Sequence, residues 1–249
     1  MAGASWRAER RLISTDVAPE AAALPMVLGR IADACRRAHR DPAEVDLVAV
    51  SKYASDAQVL ALVAAGQRRF GESRMQDALR RIERVNIATG ERLEWHLVGH
   101  LQTNKVGQAM GRFAVIESLD SRRLADAVSR RAVFSEVAVP VLLEVNVAED
   151  PTKFGFNPAD VVRDFEYIAG LPGLDVAGLM TVATQVADPE MARPYFAALR
   201  GIRERLDASG TSYPLRHLSM GMSADFEVAI SEGATIVRVG TALFGDHPE

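Results

Sequence analysis

Three residues of this chain carry a side-chain primary amine, Lys52, Lys105 and Lys153, against 26 arginines. A primary amine condenses with an aldehyde and a guanidinium does not, and a lysine loses its charge readily when buried. Lys52 closes the run "LVAVSK", so imine chemistry is the first candidate there. Two later stretches supply groups of a different kind. "SMGMSADFEVAISEG" offers the hydroxyls of Ser219 and Ser223 around Gly221, ahead of a helical run, and "RVGTALFG" places Gly240 and Thr241 just after an apolar run. Backbone amides at a glycine or a helix start, with hydroxyls beside them, are suited to phosphate. Arg238 stands two residues before Gly240, and residues two apart on a strand share a face.

These groups need elements to bring them together. Short apolar runs alternate with longer amphipathic ones along most of the chain. "LVAVSK", "RRFGES", "EWHLVG", "FAVIESL", "VPVLLEVNV", "LDVAGLMTV", "LRHLSM" and "ATIVRVG" read as eight strands. Between them lie helix signals: Ser55 or Asp56 as a cap, Ser73 and Gln76 at capping-box spacing, Asn157-Pro158 opening a helix that Gly170 closes, and Asp188-Pro189 opening another. Eight strand–helix alternations without a break in composition predict an α/β fold, a single (β/α)8 TIM barrel, with an extra N-terminal helix from Leu24 to about Arg40. Residues 1–23 read as a poorly ordered extension and residues 24–249 as one domain. The C-terminal strand ends of such a barrel form one rim, which gathers Lys52, Glu72, His100, Asn146, Met180, Ser219 and Gly240 and turns Lys52 into a pocket.

Composition narrows the partners. The net charge of −4 gives no basic field for nucleic acid, and no apolar run approaches the roughly 18 residues of a membrane span. One cysteine, Cys35, excludes an internal disulfide, and the first two dozen residues lack a secretory apolar core; both suit the cytoplasm.

A lysine for an aldehyde, a phosphate cup after strands seven and eight, and an arginine on strand eight form a set that one cofactor uses together. Pyridoxal 5'-phosphate (PLP) has an aldehyde, a phosphate and a ring nitrogen whose partner sets its electronics. An arginine donates to that nitrogen and disfavours its protonation, which makes the ring a weaker electron sink.

"AVSK", "FGES", "WHLVGHLQTNK", "GLMT", "LSMGMSADFEVAI" and "IVRVGTALFG" occur in the order found in the pyridoxal phosphate homeostasis protein family, which the chain resembles from about Leu24 to Gly245. The resemblance implies a barrel like the N-terminal domain of alanine racemase. It implies Lys52 as the residue holding PLP as an aldimine, Ser219, Ser223, Gly240 and Thr241 as the phosphate cup, and Arg238 at the ring nitrogen. Tyr53 and Ser73 stand where the family commonly has Thr and Asn. Racemases of this lineage carry a second domain, for which a chain ending at Glu249 leaves no length, and no second base is identifiable opposite the lysine. The expectation is therefore a monomeric, non-catalytic PLP-binding protein acting in vitamin B6 and amino-acid homeostasis, with PLP-dependent apoenzymes as recipients. A racemase-like or lyase-like enzyme is the alternative. His96 and His100 are four apart, but strand and turn between them separate the rings, so no metal site is expected. Lys105 reads as a structural or handover residue, Lys153 as a solvated loop residue, and Trp95 and Met180 as packing.

Overall fold

A computed structural model of the chain describes residues 18–184 and 186–245. Residues 1–17, most of the expected extension, and the last four residues lie outside the described ones. The elements run α1 (Pro19–Arg37), β1 (Asp46–Val50), α2 (Asp56–Ala64), β2 (Arg69–Glu72), α3 (Met75–Thr89) and β3 (Glu94–Leu97). Then come α4 (Val106–Ala109), β4 (Val115–Leu119), α5 (Arg122–Phe134), β5 (Val139–Glu144), α6 (Pro158–Ala169) and β6 (Leu174–Met180). The chain finishes with α7 (Arg193–Ala208), β7 (His217–Ser219), α8 (Phe226–Ser231), β8 (Ile236–Val239) and α9 (Thr241–Phe244).

The strands pair in sequence order, all in parallel, and β1 closes on β8 with Ala49 opposite Val239. This is the eight-stranded barrel that the alternation predicts. Its strands are nearly continuous apolar runs because one face packs on the barrel interior and the other on the surrounding helices. Val48, Leu142, Ala177, Met180 and Ile236 fill the inside. A larger cluster, including Val59, Leu62, Phe165, Phe196 and Leu199, lies between strands and helices. Trp95 is 1 % exposed and packs its ring 5.2 Å from that of Phe70, so both it and Met180 do serve packing.

Local chemistry sets the helix starts. Ser55 forms a complete capping box: its Oγ accepts from the amide of Gln58, and the Gln58 side chain accepts from the amide of Ser55. Asn157 caps α6 through the amide of Ala159, and Asp188 caps a short 3-10 turn that leads into α7. The box expected at Ser73 does not form. Arg74 is extended, at φ −108° and ψ 113°, so α3 starts at Met75, one residue too late for it. The first helix also begins earlier than expected. Pro19 occupies its first turn with Glu20, the alanines 21–23 favour helix, and Glu20 is already buried.

This added helix is tied to the end of the barrel cycle. Gln58 Nε2 donates to Glu20 Oε1 at 2.7 Å and to the carbonyl of Phe244 in α9. Arg30 pairs with Glu227 of α8 and covers the ring of Phe226 at 4.6 Å, and Arg40 donates to the carbonyls of Ile230 and Ala234.

Candidate functional site

The C-terminal strand ends form the rim on which the expected residues gather. The seam between β1 and β8 brings the first of them together. Gly240 follows β8, and a Cβ there would stand 3.3 Å from the carbonyl oxygen of Val50, the last residue of β1. Lys52 lies two residues further along the chain.

Lys52 is not among the buried residues of the barrel. It is exposed, with Nζ 4.9 Å from the ring centroid of Tyr53. The cause lies one residue earlier. Ser51 is fully buried: its amide donates to Gly71, its Oγ to Glu72 Oε1 at 2.7 Å, and its carbonyl accepts from Arg81. The amide of Ala54 also donates to that carbonyl, so the chain turns at Ser51 and lifts Lys52 onto the rim.

On the β7–β8 side, Ser223 Oγ accepts hydrogen bonds from two backbone amides, Gly240 at 3.1 Å and Ala242 at 3.3 Å. Two amides thus converge on one oxygen at the start of α9. The loop that presents Ser223 is fixed by Gly221, whose φ of +93° favours glycine and where a Cβ would meet Ala229 at 2.6 Å. The carbonyl of Gly221 accepts from the amide of Arg238, and Asp225 accepts from the amide of Met222 at 2.6 Å, which holds the loop against β8. Thr241 is exposed at the first position of α9.

Arg238 does point inward, at 4 % exposure. Its Nη2 donates to the carbonyl of Thr181 at 2.7 Å and its Nη1 to Ser219 Oγ. Ser219 is fully buried and donates to Glu117 Oε2 at 2.6 Å. It therefore stands apart from Ser223, inside the barrel rather than on the amide loop. Glu117 is fully buried too and lies 3.7 Å from Arg238 Nη1. His96 Nδ1 is 2.6 Å from the other oxygen of Glu117, which makes Nδ1 the protonated ring nitrogen. Burial works against the charge on Glu117, but His96, Arg238 and Ser219 outweigh it and hold its pKa below the usual carboxylate value. Burial lowers the pKa of Arg238, and Glu117 opposes that.

Residues that the sequence reading passed over complete the mouth. Glu144 ends β5, two positions beyond the inward Leu142; its carbonyl accepts from the amide of Phe156, but its carboxylate makes no hydrogen bond or ion pair among the described residues. Burial, then the charge of Asp120, pushes its pKa up to about 7. Asp120 bonds His100 Nδ1 at 2.6 Å, and the His100 ring stacks on Phe154 at 3.8 Å. The two histidines therefore serve different carboxylates, and no group of three metal-ligating side chains occurs among the described residues. Lys153 is not a solvated loop residue. Its Nζ reaches Thr184 Oγ1 at 3.2 Å and the carbonyl of Val182, joining the loops after β5 and β6. Lys105 lies half-buried in a 3-10 turn before α4. The signal for Glu117 and Glu144 was present: each is a carboxylate inside a run that otherwise reads as buried strand.

Closed parallel topology and the arrangement at β7, β8 and β1 define the class, and the sequence agrees. The family described as alanine racemase, N-terminal domain, matches residues 28–248. The relatives place the chain more closely. A pyridoxal phosphate homeostasis protein of Aquifex aeolicus is 44 % identical over 90 % of this chain and 96 % of its own length. A protein of the same name from Pseudomonas aeruginosa is 39 % identical over 88 % of this chain and 92 % of its own length. Among solved structures, PipY of Synechococcus elongatus with PLP bound superposes with a TM-score of 0.77 at 35 % identity, covering 88 % of this chain and all of PipY. The chain belongs to the pyridoxal phosphate homeostasis protein family.

Proposed function

We propose that this chain binds PLP at the β1–β8 seam, attaches it covalently through Lys52, and holds and hands on the cofactor rather than turning over a substrate, in the service of vitamin B6 and amino-acid homeostasis. The observation that carries this reading is the convergence of the Gly240 and Ala242 amides on one point beside the strand that delivers Lys52. The residues present fit the cofactor. Two amides with the hydroxyls of Ser223 and Thr241 suit a phosphate, a primary amine suits an aldehyde, and the inward guanidinium of Arg238 suits a ring nitrogen. When bound, PLP supplies an aldehyde for a primary amine and an electron-withdrawing ring.

The chain's own groups divide the work. Ser223 keeps the amide pair aligned, and Gly240 lets the backbone come close to Val50. Lys52, on the rim, is reachable by cofactor arriving from solvent and by a recipient leaving with it. That access suits a protein that stores and releases PLP in the cytoplasm as a monomer, with apoenzymes as recipients. No helix among the described residues is long and apolar enough to cross a membrane.

Borohydride reduction after incubation with PLP, followed by peptide mass analysis, tests the assignment. The label belongs on the Lys52 peptide and disappears in Lys52→Ala; a label elsewhere, or none in the parent protein, refutes it. Ser223→Ala and Thr241→Val should weaken retention of PLP yet leave retention of pyridoxal, which lacks the phosphate, nearly unchanged.

One observation favours a racemase-like or lyase-like activity as the second reading. Glu144 ends the strand opposite β1 in the closed barrel and has a pKa near neutrality, as a proton-transfer group requires. Exchange of the alanine Cα proton in D2O that depends on both Lys52 and Glu144 would decide for it.

A further inference from the structure

Arg238 is held by a chain of side chains from three other strands, Ser219 and Glu117 beside it and His96 behind Glu117, none of which the cofactor reading above employs. His96 comes from β3, Glu117 from β4 and Ser219 from β7. A serine hydroxyl has one proton to give. That of Ser219 goes to Glu117 at 2.6 Å, while the same oxygen accepts from Arg238 Nη1. The hydroxyl is thus a relay between a cation and an anion and has no proton left for a phosphate. Glu117 in turn accepts from Ser219 with one oxygen and from His96 with the other, each at 2.6 Å, so both oxygens are engaged. Beyond Ser219 and the Thr181 carbonyl, the Arg238 guanidinium has no other hydrogen bond among the described residues, although it carries five N–H donors in a rigid fork.

We infer that Glu117, acting through Ser219 and steadied by His96, is a positioning residue that locks the orientation of the charged Arg238 guanidinium and reserves its remaining donors for an unprotonated ring nitrogen. Ser219 thereby belongs to the support of the ring rather than to the phosphate cup. The physical reason is that a buried guanidinium needs a matching charge, and a rigid fork held at two points cannot swing to satisfy a different acceptor. Glu117 touches no ligand in this scheme; its effect passes through Arg238. The inference rests on the PLP reading.

The experiment therefore has two arms, on Glu117→Gln, Glu117→Asp and Ser219→Ala. In protein without cofactor, nitrogen-15 NMR should give a slowly exchanging Arg238 side-chain signal and a low-field His96 Nδ1 proton. Both should be lost in Glu117→Gln, and the arginine signal should broaden in Ser219→Ala. In loaded protein, Glu117→Gln and Ser219→Ala should raise the PLP dissociation constant about tenfold or more, as expected for a lost hydrogen bond to a charged group. They should also move the visible absorption band and its pH profile, with Glu117→Asp restoring part of both. Should Glu117→Gln fail to fold, Ser219→Ala carries the test, because it keeps the ion pair and removes only the relay. An Arg238 signal unchanged in Glu117→Gln, or an unchanged band and constant in folded Ser219→Ala, overturns the inference. If the parent protein does not attach PLP at Lys52, the cofactor reading fails instead, and the NMR arm still decides whether Glu117 fixes Arg238.

Discussion

Lys52 and Arg238 arise from neighbouring strands, β1 and β8, yet the fold treats them in opposite ways. Lys52 is exposed, with the Tyr53 ring 4.9 Å from its Nζ. Arg238 is 4 % exposed and is held by Ser219, Thr181 and Glu117. A group meant to form and release a bond needs access, and lysine's flexible stem provides it. A group meant to present a charge in one direction needs enclosure and partners. If the proposed function holds, the contrast teaches that the reactive end of the site is left adaptable and its recognition end is built into the barrel.

Substitutions can break this contrast, and their effects should fall in order. Lys52→Ala, or even Lys52→Arg, should abolish covalent attachment altogether, since neither side chain forms the imine; reduction and mass analysis read the loss, and the melting temperature should hardly move. Glu117→Gln should act the other way, on the fold. Leaving Arg238 buried without its carboxylate costs about 3–5 kcal/mol, measured as a lower urea midpoint, and a change under about 1 kcal/mol would mean that the pair carries little.

Glu144 sharpens the comparison because it has neither full access to solvent nor a partner. Its carboxyl holds a proton up to about pH 7 in the folded protein, against an ordinary value of 4.5. The folded state then binds more protons than the unfolded chain between these values, so Glu144 makes stability fall as pH rises from about 4.5 to about 7. The loss is on the order of 3 kcal/mol at most. Glu144→Gln should be the more stable protein at pH 8 and lose that advantage near pH 4; urea midpoints at the two pH values check it. The smallest effect belongs to Ser223→Ala. Removing the acceptor shared by two amides should cost about 1 kcal/mol, a drop of about 2–4 °C in Tm.

Much of this architecture was legible because barrel strands must be apolar on both faces and helix starts need specific polar residues. The glycines and hydroxyls after β7 and β8 were visible in the sequence, but such residues also serve ordinary turns and caps, as Gly221 and Ser223 do here. What escaped was long-range. Nothing near Ser219 in the sequence announces that its proton goes to Glu117, 102 positions away. Lys52 could be singled out as a candidate amine on the rim, but its exposure could not be read, since the turn before it depends on Glu72 and Arg81 gripping Ser51. Ser73 had the right spacing for a cap, but the extended backbone at Arg74 delayed the helix. Lys153 looked free because its partners, Val182 and Thr184, lie on another loop.

The contact of Glu20 with Gln58, and of Gln58 with Phe244, has a practical side. The first turn of the leading helix braces the same short segment whose amides we propose to hold the phosphate, although it contributes nothing to the eight staves. Trimming the protein to start at Leu24 removes Glu20 and with it this brace, and should slacken α9. On the proposed function, the choice of N-terminal boundary is thus a handle on how long a guest stays.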